Sequence, residues 1–243
     1  MTTFAPKLFA GKVAVVTGGT SGIGAATATY LAHLGATVYA AGLDSAGAEF
    51  PAGLDIRVRE VDVTNDTHLA RLLDELDRLD ILVPAAGISL GPREVEWPAF
   101  QKVVDIQLGR VYRTIELSHE LLVANEGCIV NIASMFSFFG GGKLVAYAAA
   151  KGAIAQLTKS LAQVYAADKI RVNAVAPGFI DTPLLALRND PVVKERVLTR
   201  TPMARFGKPD EIGKVIAFLC SDAASFMTGA IVPVDGGYLA AGT

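Results

Sequence analysis

The stretch that most constrains the fold is Thr17-Gly18-Gly19-Thr20-Ser21-Gly22-Ile23-Gly24. Val13-Ala14-Val15-Val16 precedes it, a β-branched run that reads as a buried strand. After it, Ile23, Thr27, Tyr30, Leu31 and Leu34 recur at helical spacing. A strand, a glycine turn and a helix in that order form a nucleotide cradle. Glycine lets the ligand approach the backbone, and the helix start turns free N–H groups and a positive dipole end toward a pyrophosphate. The spacing is a variant of GxGxxG, so the strand and helix around it carry the reading.

The remaining chain repeats the alternation. Further strands are read at Thr37–Ala41, Ile56–Val63, Ile81–Val83, Cys128–Ala133, Ile170–Ala176 and Ala230–Val234. Helices are read at 69–76 from Leu69, Leu72, Leu73 and Leu76, at 98–124 as one long helix, at 145–166 and at 209–221. A short helical run at 192–199 lies within a proline-rich stretch. Over 243 residues with no long polar linker or repeat, this specifies one α/β domain, 1–243: a doubly wound Rossmann fold with a seven-stranded parallel sheet and helices on both faces. Residues 182–208 read as an insertion after the sixth of these strands, expected to serve as a substrate loop. Ligands in such sheets sit at the carboxyl ends of the strands.

A net charge of −2 with scattered Arg and Lys argues against nucleic acid as a partner. No run reaches the roughly 18 apolar residues of a membrane span, and no secretory signal is visible. Cys128 and Cys220 lie in apolar runs and read as thiols of a reducing, cytoplasmic compartment. His33, His68 and His119 are far apart on helical patterns, so no metal site is expected.

Tyr147 and Lys151 are four apart on one helix and share a face. A lysine cation lowers a neighbouring phenol's pKa, and a tuned phenol exchanges a proton with an alcohol or carbonyl. Ser134, at a strand end, offers a hydroxyl to a developing oxyanion.

Together these motifs resemble the short-chain dehydrogenase/reductase family, nearly end to end. The resemblance rests on TGxxxGxG at 17–24, Asp62-Val63, Ala86-Gly87 and Asn131-Ile132-Ala133-Ser134. It also rests on Tyr147-x-x-x-Lys151, Pro177-Gly178 and Val234-Asp235-Gly236-Gly237. It implies Tyr147 as general acid/base, Lys151 as its pKa modifier and ribose ligand, and Ser134 as holder of the substrate carbonyl. Gly18, Thr20, Ser21, Gly22, Ile23 and Gly24 would meet the pyrophosphate. Asp62 and Val63 would flank adenine, Ala85, Ala86 and Gly87 would pack on the cofactor, and Pro177, Gly178, Ile180 and Thr182 would meet the carboxamide end. The resemblance also implies a homotetramer.

Two positions depart from the family pattern. Gln107 stands where an asparagine usually supports a water relay to the lysine, and is retained here as a relay member. Pro84-Ala85-Ala86-Gly87 replaces Asn-Asn-Ala-Gly and removes two side-chain amides.

The usual acidic position after the second strand falls on Gly42, with Asp44 two residues later and no Arg or Lys between Thr37 and Arg57. That charge pattern favours NAD over NADP; the other reading of Asp44 is a helix N-cap. The substrate is expected to be a secondary alcohol or ketone. It would be apolar or aromatic if Met135, Phe136, Phe138, Phe139, Leu144, Leu184, Leu185, Leu187 and Met203 line its site rather than a core or interface. Arg188, Arg200 or Arg205 would serve a charged substrate instead. The alternatives are an NADP-dependent carbonyl or 3-oxoacyl reductase and a non-enzymatic, redox-sensing dinucleotide binder.

Overall fold

The computed structural model describes residues 4–185 and 190–241. Seven strands form one sheet: β1 (Val13–Thr17), β2 (Thr37–Gly42), β3 (Ile56–Glu60), β4 (Ile81–Pro84), β5 (Cys128–Ile132), β6 (Arg171–Pro177) and β7 (Ile231–Val234). All pairings are parallel, in the order β3-β2-β1-β4-β5-β6-β7. The chain winds outward from β1 to β3, then returns to β4 on the other side of β1. Strand direction of travel therefore reverses between β1 and β4, which opens a crevice beyond their carboxyl ends.

Helices cover both faces: α1 (Gly22–His33), α2 (Asp66–Asp74), α3 (Trp97–Val104), α4 (Arg110–Leu117), α5 (His119–Ala124), α6 (Val145–Val164), α7 (Pro191–Arg200) and α8 (Pro209–Cys220). The central strands are buried on both sides, as continuous Val/Ile/Leu runs require. One core joins β strands to α2, α4 and α6 through Leu69, Leu72, Val111, Ile115, Ile154 and Leu161. The other joins them to α1 and α8 through Leu31, Leu34, Ile212, Ile216 and Leu219.

Two expectations are corrected. The third strand ends at Glu60, not Val63. Val61 N still donates to Gly42 O, but Asp62 then accepts from both Thr64 N and Thr64 Oγ1, and that local turn pulls the chain out of the ladder. The helix expected at 98–124 is three helices. A π turn at Asp105–Gly109 separates α3 from α4, and Ser118 separates α4 from α5 with its Oγ donating to Thr114 O. Such π turns inside helices cluster at functional sites, and this one carries Gln107. Asn65 caps α2, accepting from Thr67 N at 2.9 Å.

At the amino ends of the strands Asp80, almost fully buried, accepts from Lys12 Nζ, Val13 N and Arg78. Cys128 and Cys220 are free thiols. No helix among the described residues is long and apolar enough to cross a membrane. No group of three or more His, Cys, Asp or Glu among them is placed to hold a metal ion.

Candidate active site

The glycine turn closes onto the end of β4. Gly18 has φ +64°, and a Cβ there would lie 2.7 Å from Ala86 Cα. A Cβ on Gly24 would lie 2.1 Å from Gly18 O, so no side chain fits. Gly19 N donates to Ala41 O and Ala85 N to Thr17 O, which binds the turn to β2 and β4. Helix α1 begins at Gly22 itself, and its cap residue Ser21 makes no side-chain cap bond. Its first N–H groups are thus left for a ligand. Thr182 is buried above this start, 3.5 Å from where a Gly22 Cβ would be. Ile180 bridges to Gly207, and Gly178 packs on Asp235. Gly18 to Gly24, Ala85, Ala86, Pro177, Gly178, Ile180 and Thr182 therefore edge one crevice, which fits a dinucleotide: its walls are backbone that side chains would fill.

Beyond β2, Asp44 is exposed and in the left-handed region; it stands at the N-cap position of the short 3-10 turn Ser45–Gly47, as the other reading had it, but its side chain makes no cap bond. Glu60, at the end of β3 and paired across from Gly42, accepts from Ser45 N at 2.8 Å. That backbone donor and the Ser45 hydroxyl hold its carboxyl below the usual range. Two carboxylates thus flank the β2 exit. The sequence reading placed Glu60 inside a strand and missed it; the pairing of Gly42 with Glu60 exists only once β3 is docked. Asp62 lies in the turn after Glu60, its carboxyl lowered chiefly by the Thr64 hydroxyl.

On the other side of the crevice Ser134 follows β5 and Tyr147 and Lys151 lie in the first two turns of α6. The Ser134 hydroxyl accepts from Phe136 N at 3.2 Å and is nearly buried. Lys151 is buried and donates from Nζ to Ile132 O at 2.6 Å, with Nζ 5.6 Å from the Tyr147 ring centre. The tuning differs from expectation. Burial pushes the Tyr147 phenol up to about 12, with the Ser134 hydroxyl pulling it down and Glu94 pushing it up. Burial pushes the Lys151 ammonium down to about 7. A lysine lowered so far is a weak source of positive charge near neutrality, and the phenol is raised rather than lowered.

Gln107 is buried, and its amide packs against Gly87. Its Nε2 donates to Ile88 O at 2.6 Å, while Oε1 has no partner. An orphaned buried acceptor at this edge is a place for a water or ligand donor.

The apolar residues expected near the substrate fall in different surroundings. Phe136 lies edge-on to the Tyr147 ring at 6.2 Å and 5.2 Å from Phe139. Phe139 stacks on Tyr238, which also meets Phe179. Met135 instead turns into the protein and is fully buried. Leu184 and Met203 are exposed. Leu187 and Arg188 lie outside the described residues. Arg205 is locked in a two-pronged pair with Glu211 and is not a substrate ligand in this arrangement; Arg200 lies over the Tyr238 ring at 5.0 Å.

Comparison with known proteins gives a consistent picture. A family model described as enoyl-(acyl carrier protein) reductase matches residues 18–239. The chain is 44% identical to cis-4-hydroxycyclohexanecarboxylate dehydrogenase of Sinomonas cyclohexanicum, over 96% of this chain and 99% of that one. It is 36% identical to a 3-oxoacyl-[acyl-carrier-protein] reductase of Thermotoga maritima, over 93% and 97%. Among solved structures, a Beutenbergia cavernae protein assigned as an NAD(P)-dependent gluconate 5-dehydrogenase, with NADP bound at low occupancy, superposes with a TM-score of 0.90. That protein is 36% identical, over 97% of this chain and all of that one.

Proposed function

The chain belongs to the short-chain dehydrogenase/reductase family, and from that premise we propose that it is an NAD-dependent dehydrogenase of a secondary alcohol. The observation that carries this reading is the meeting of Ser134, Tyr147 and Lys151 at one edge of a crevice whose other edge is the glycine turn. When bound, the nicotinamide supplies the hydride acceptor. Ser134 Oγ holds the substrate oxygen, and the Tyr147 phenolic oxygen takes the hydroxyl proton as the carbonyl forms. Lys151, beside the Tyr147 ring, binds the ribose and, once charged, favours the phenolate. Gln107 offers Oε1 to the water that carries that proton away.

NAD is preferred because Asp44 and Glu60 present negative charge at the exit of β2, where a 2′-phosphate would be repelled. The second reading, an NADP-dependent carbonyl or 3-oxoacyl reductase, is favoured by the Thermotoga and Beutenbergia relatives. A redox-sensing binder has no use for all three of Ser134, Tyr147 and Lys151. The aromatic wall of Phe136, Phe139 and Tyr238 supports an alicyclic or aromatic substrate. Arg200 over Tyr238 is placed for a carboxylate at its far end, in keeping with the hydroxycyclohexanecarboxylate that the Sinomonas relative's name carries. We read residues 1–243 as one catalytic domain with the substrate insertion at 182–208, acting in the cytoplasm as a homotetramer. Exposed Val164 and Phe226 are apolar surface that such an assembly would cover.

The test is turnover of cis-4-hydroxycyclohexanecarboxylate and a panel of cyclic alcohols with NAD⁺ and NADP⁺, wild type beside Tyr147→Phe. The variant is expected to keep cofactor binding and lose at least ~100-fold in kcat. Equal activity in the two proteins would remove Tyr147 from the chemistry.

A further inference from the structure

Glu94 is fully buried, yet no Lys, Arg or His among the described residues pairs with it. It sits in the 3-10 segment Gly91–Val95 that follows β4. Its Oε1 accepts from Ser89 Oγ at 2.9 Å and from Leu90 N at 3.0 Å. Its Oε2 accepts from Tyr147 N at 2.9 Å. Tyr147 is the third residue of α6, so its N–H is one of the donors a helix leaves unsatisfied. The cap position, Leu144, has no side chain able to serve it. A carboxylate from another segment takes that place, and the positive end of a twenty-residue helix stabilises its charge. The same segment is gripped once more, where Gln107 Nε2 holds Ile88 O.

We propose that Glu94 is a positioning residue of the reaction: it clasps the wall at 88–95 to the first turn of α6 and so fixes the Tyr147 hydroxyl against Ser134. This rests on the dehydrogenase reading above. The charge adds a second consequence, because it opposes loss of the phenolic proton. The groups bearing on that phenol are Glu94 from the wall, Lys151 from its own helix and, uncharged, Ser134 after β5 and Phe136 beyond it.

The experiment compares wild type, Glu94→Gln, Glu94→Asp and Tyr147→Phe. It measures kcat against pH with cis-4-hydroxycyclohexanecarboxylate at saturating NAD⁺, together with hydrogen exchange at the Tyr147 amide. Gln keeps the shape but turns one acceptor into a donor facing an N–H. Glu94→Gln is expected to exchange faster at Tyr147 and to lose ~10–100-fold in kcat, the scale of a small misplacement of a reacting group. The limb on which kcat rises with pH should move about 0.5–1 unit lower, because a negative neighbour of the phenol is gone. Glu94→Asp keeps the charge but falls short, so kcat should drop with the limb in place. An unchanged kcat and limb in folded Glu94→Gln, or an Asp variant as fast as wild type if the Gln variant does not fold, would overturn the proposal. The dehydrogenase reading fails separately, through equal turnover by wild type and Tyr147→Phe, and amide exchange at Tyr147 still judges the clasp in that event.

Discussion

Lys151 shows how a single residue can work against the fold that holds it. Burial lowers its pKa from 10.5 to about 7, so between those values the unfolded chain binds a proton that the folded chain does not. Stability from this group is therefore present above pH 10.5 and is lost as pH falls toward 7. Tyr147 runs the other way. Raised from 10.0 to about 12, it contributes stability below pH 10 that is lost as pH climbs through 12. The Lys151 shift is the one that costs the fold near neutrality, and a group kept at such a cost is a candidate for chemistry. Lys151→Met should relieve the cost. The unliganded variant is expected to gain about 1 kcal/mol at pH 7, a rise of roughly 2–4 °C in Tm for a chain of this size, while alcohol oxidation is lost. Calorimetry at pH 7 and pH 10 checks the sign, since the gain should shrink at the higher pH. A variant less stable than wild type at both would show that the Lys151–Ile132 hydrogen bond outweighs the buried charge.

At the scale of elements, the two ends of the sheet divide the labour. The start of α1 at the carboxyl ends leaves N–H groups open, whereas Asp80 at the opposite end accepts from Lys12, Val13 and Arg78 and fastens β1 to the approach to β4. Burial alone would raise its pKa, but the Arg78 bond, the Val13 N–H and Lys12 together hold it low. Its stabilisation is present above the ordinary carboxylate range and is lost as pH falls through its depressed folded pKa. Asp80→Asn should cost about 2 kcal/mol at pH 7, since Val13 N and the half-exposed Lys12 and Arg78 lose a charged acceptor, and less at pH 3. Urea unfolding at both pH values measures this, with kcat per folded molecule unchanged because the site lies at the other end. The strands and most helices were legible because apolar period and glycine or proline punctuation are local properties. The break at 105–109 was not. Val103, Val104, Ile106 and Leu108 continue an apolar pattern across it, and only the grip of Gln107 on Ile88 marks the place where the ladder widens.

For the whole molecule, the legible part of the site was the part carried on single segments: the glycine turn, Ser134, and the Tyr147/Lys151 spacing. Glu60 and Glu94 were not legible, because each acts on a segment far away in sequence, Ser45 in one case and Tyr147 in the other. A carboxylate's partner is decided by tertiary docking, and no periodicity announces it. The same docking makes the proposed cofactor a global probe. Its crevice draws on the ends of β1, β2, β4 and β6 at once, so only the folded chain can bind it, and binding must raise Tm. At 100 times Kd the gain is about 2.7 kcal/mol, or roughly 5–10 °C here. With Asp44 and Glu60 at the exit of β2, NAD⁺ should raise Tm more than NADP⁺ at equal concentration. Removing both charges in an Asp44→Asn/Glu60→Gln variant should narrow or reverse that gap, and added salt should narrow it in wild type by screening the exposed pair. A larger shift with NADP⁺ in wild type would mean that the phosphate finds a cation these two carboxylates do not outweigh, and the NADP-dependent reductase would become the better reading.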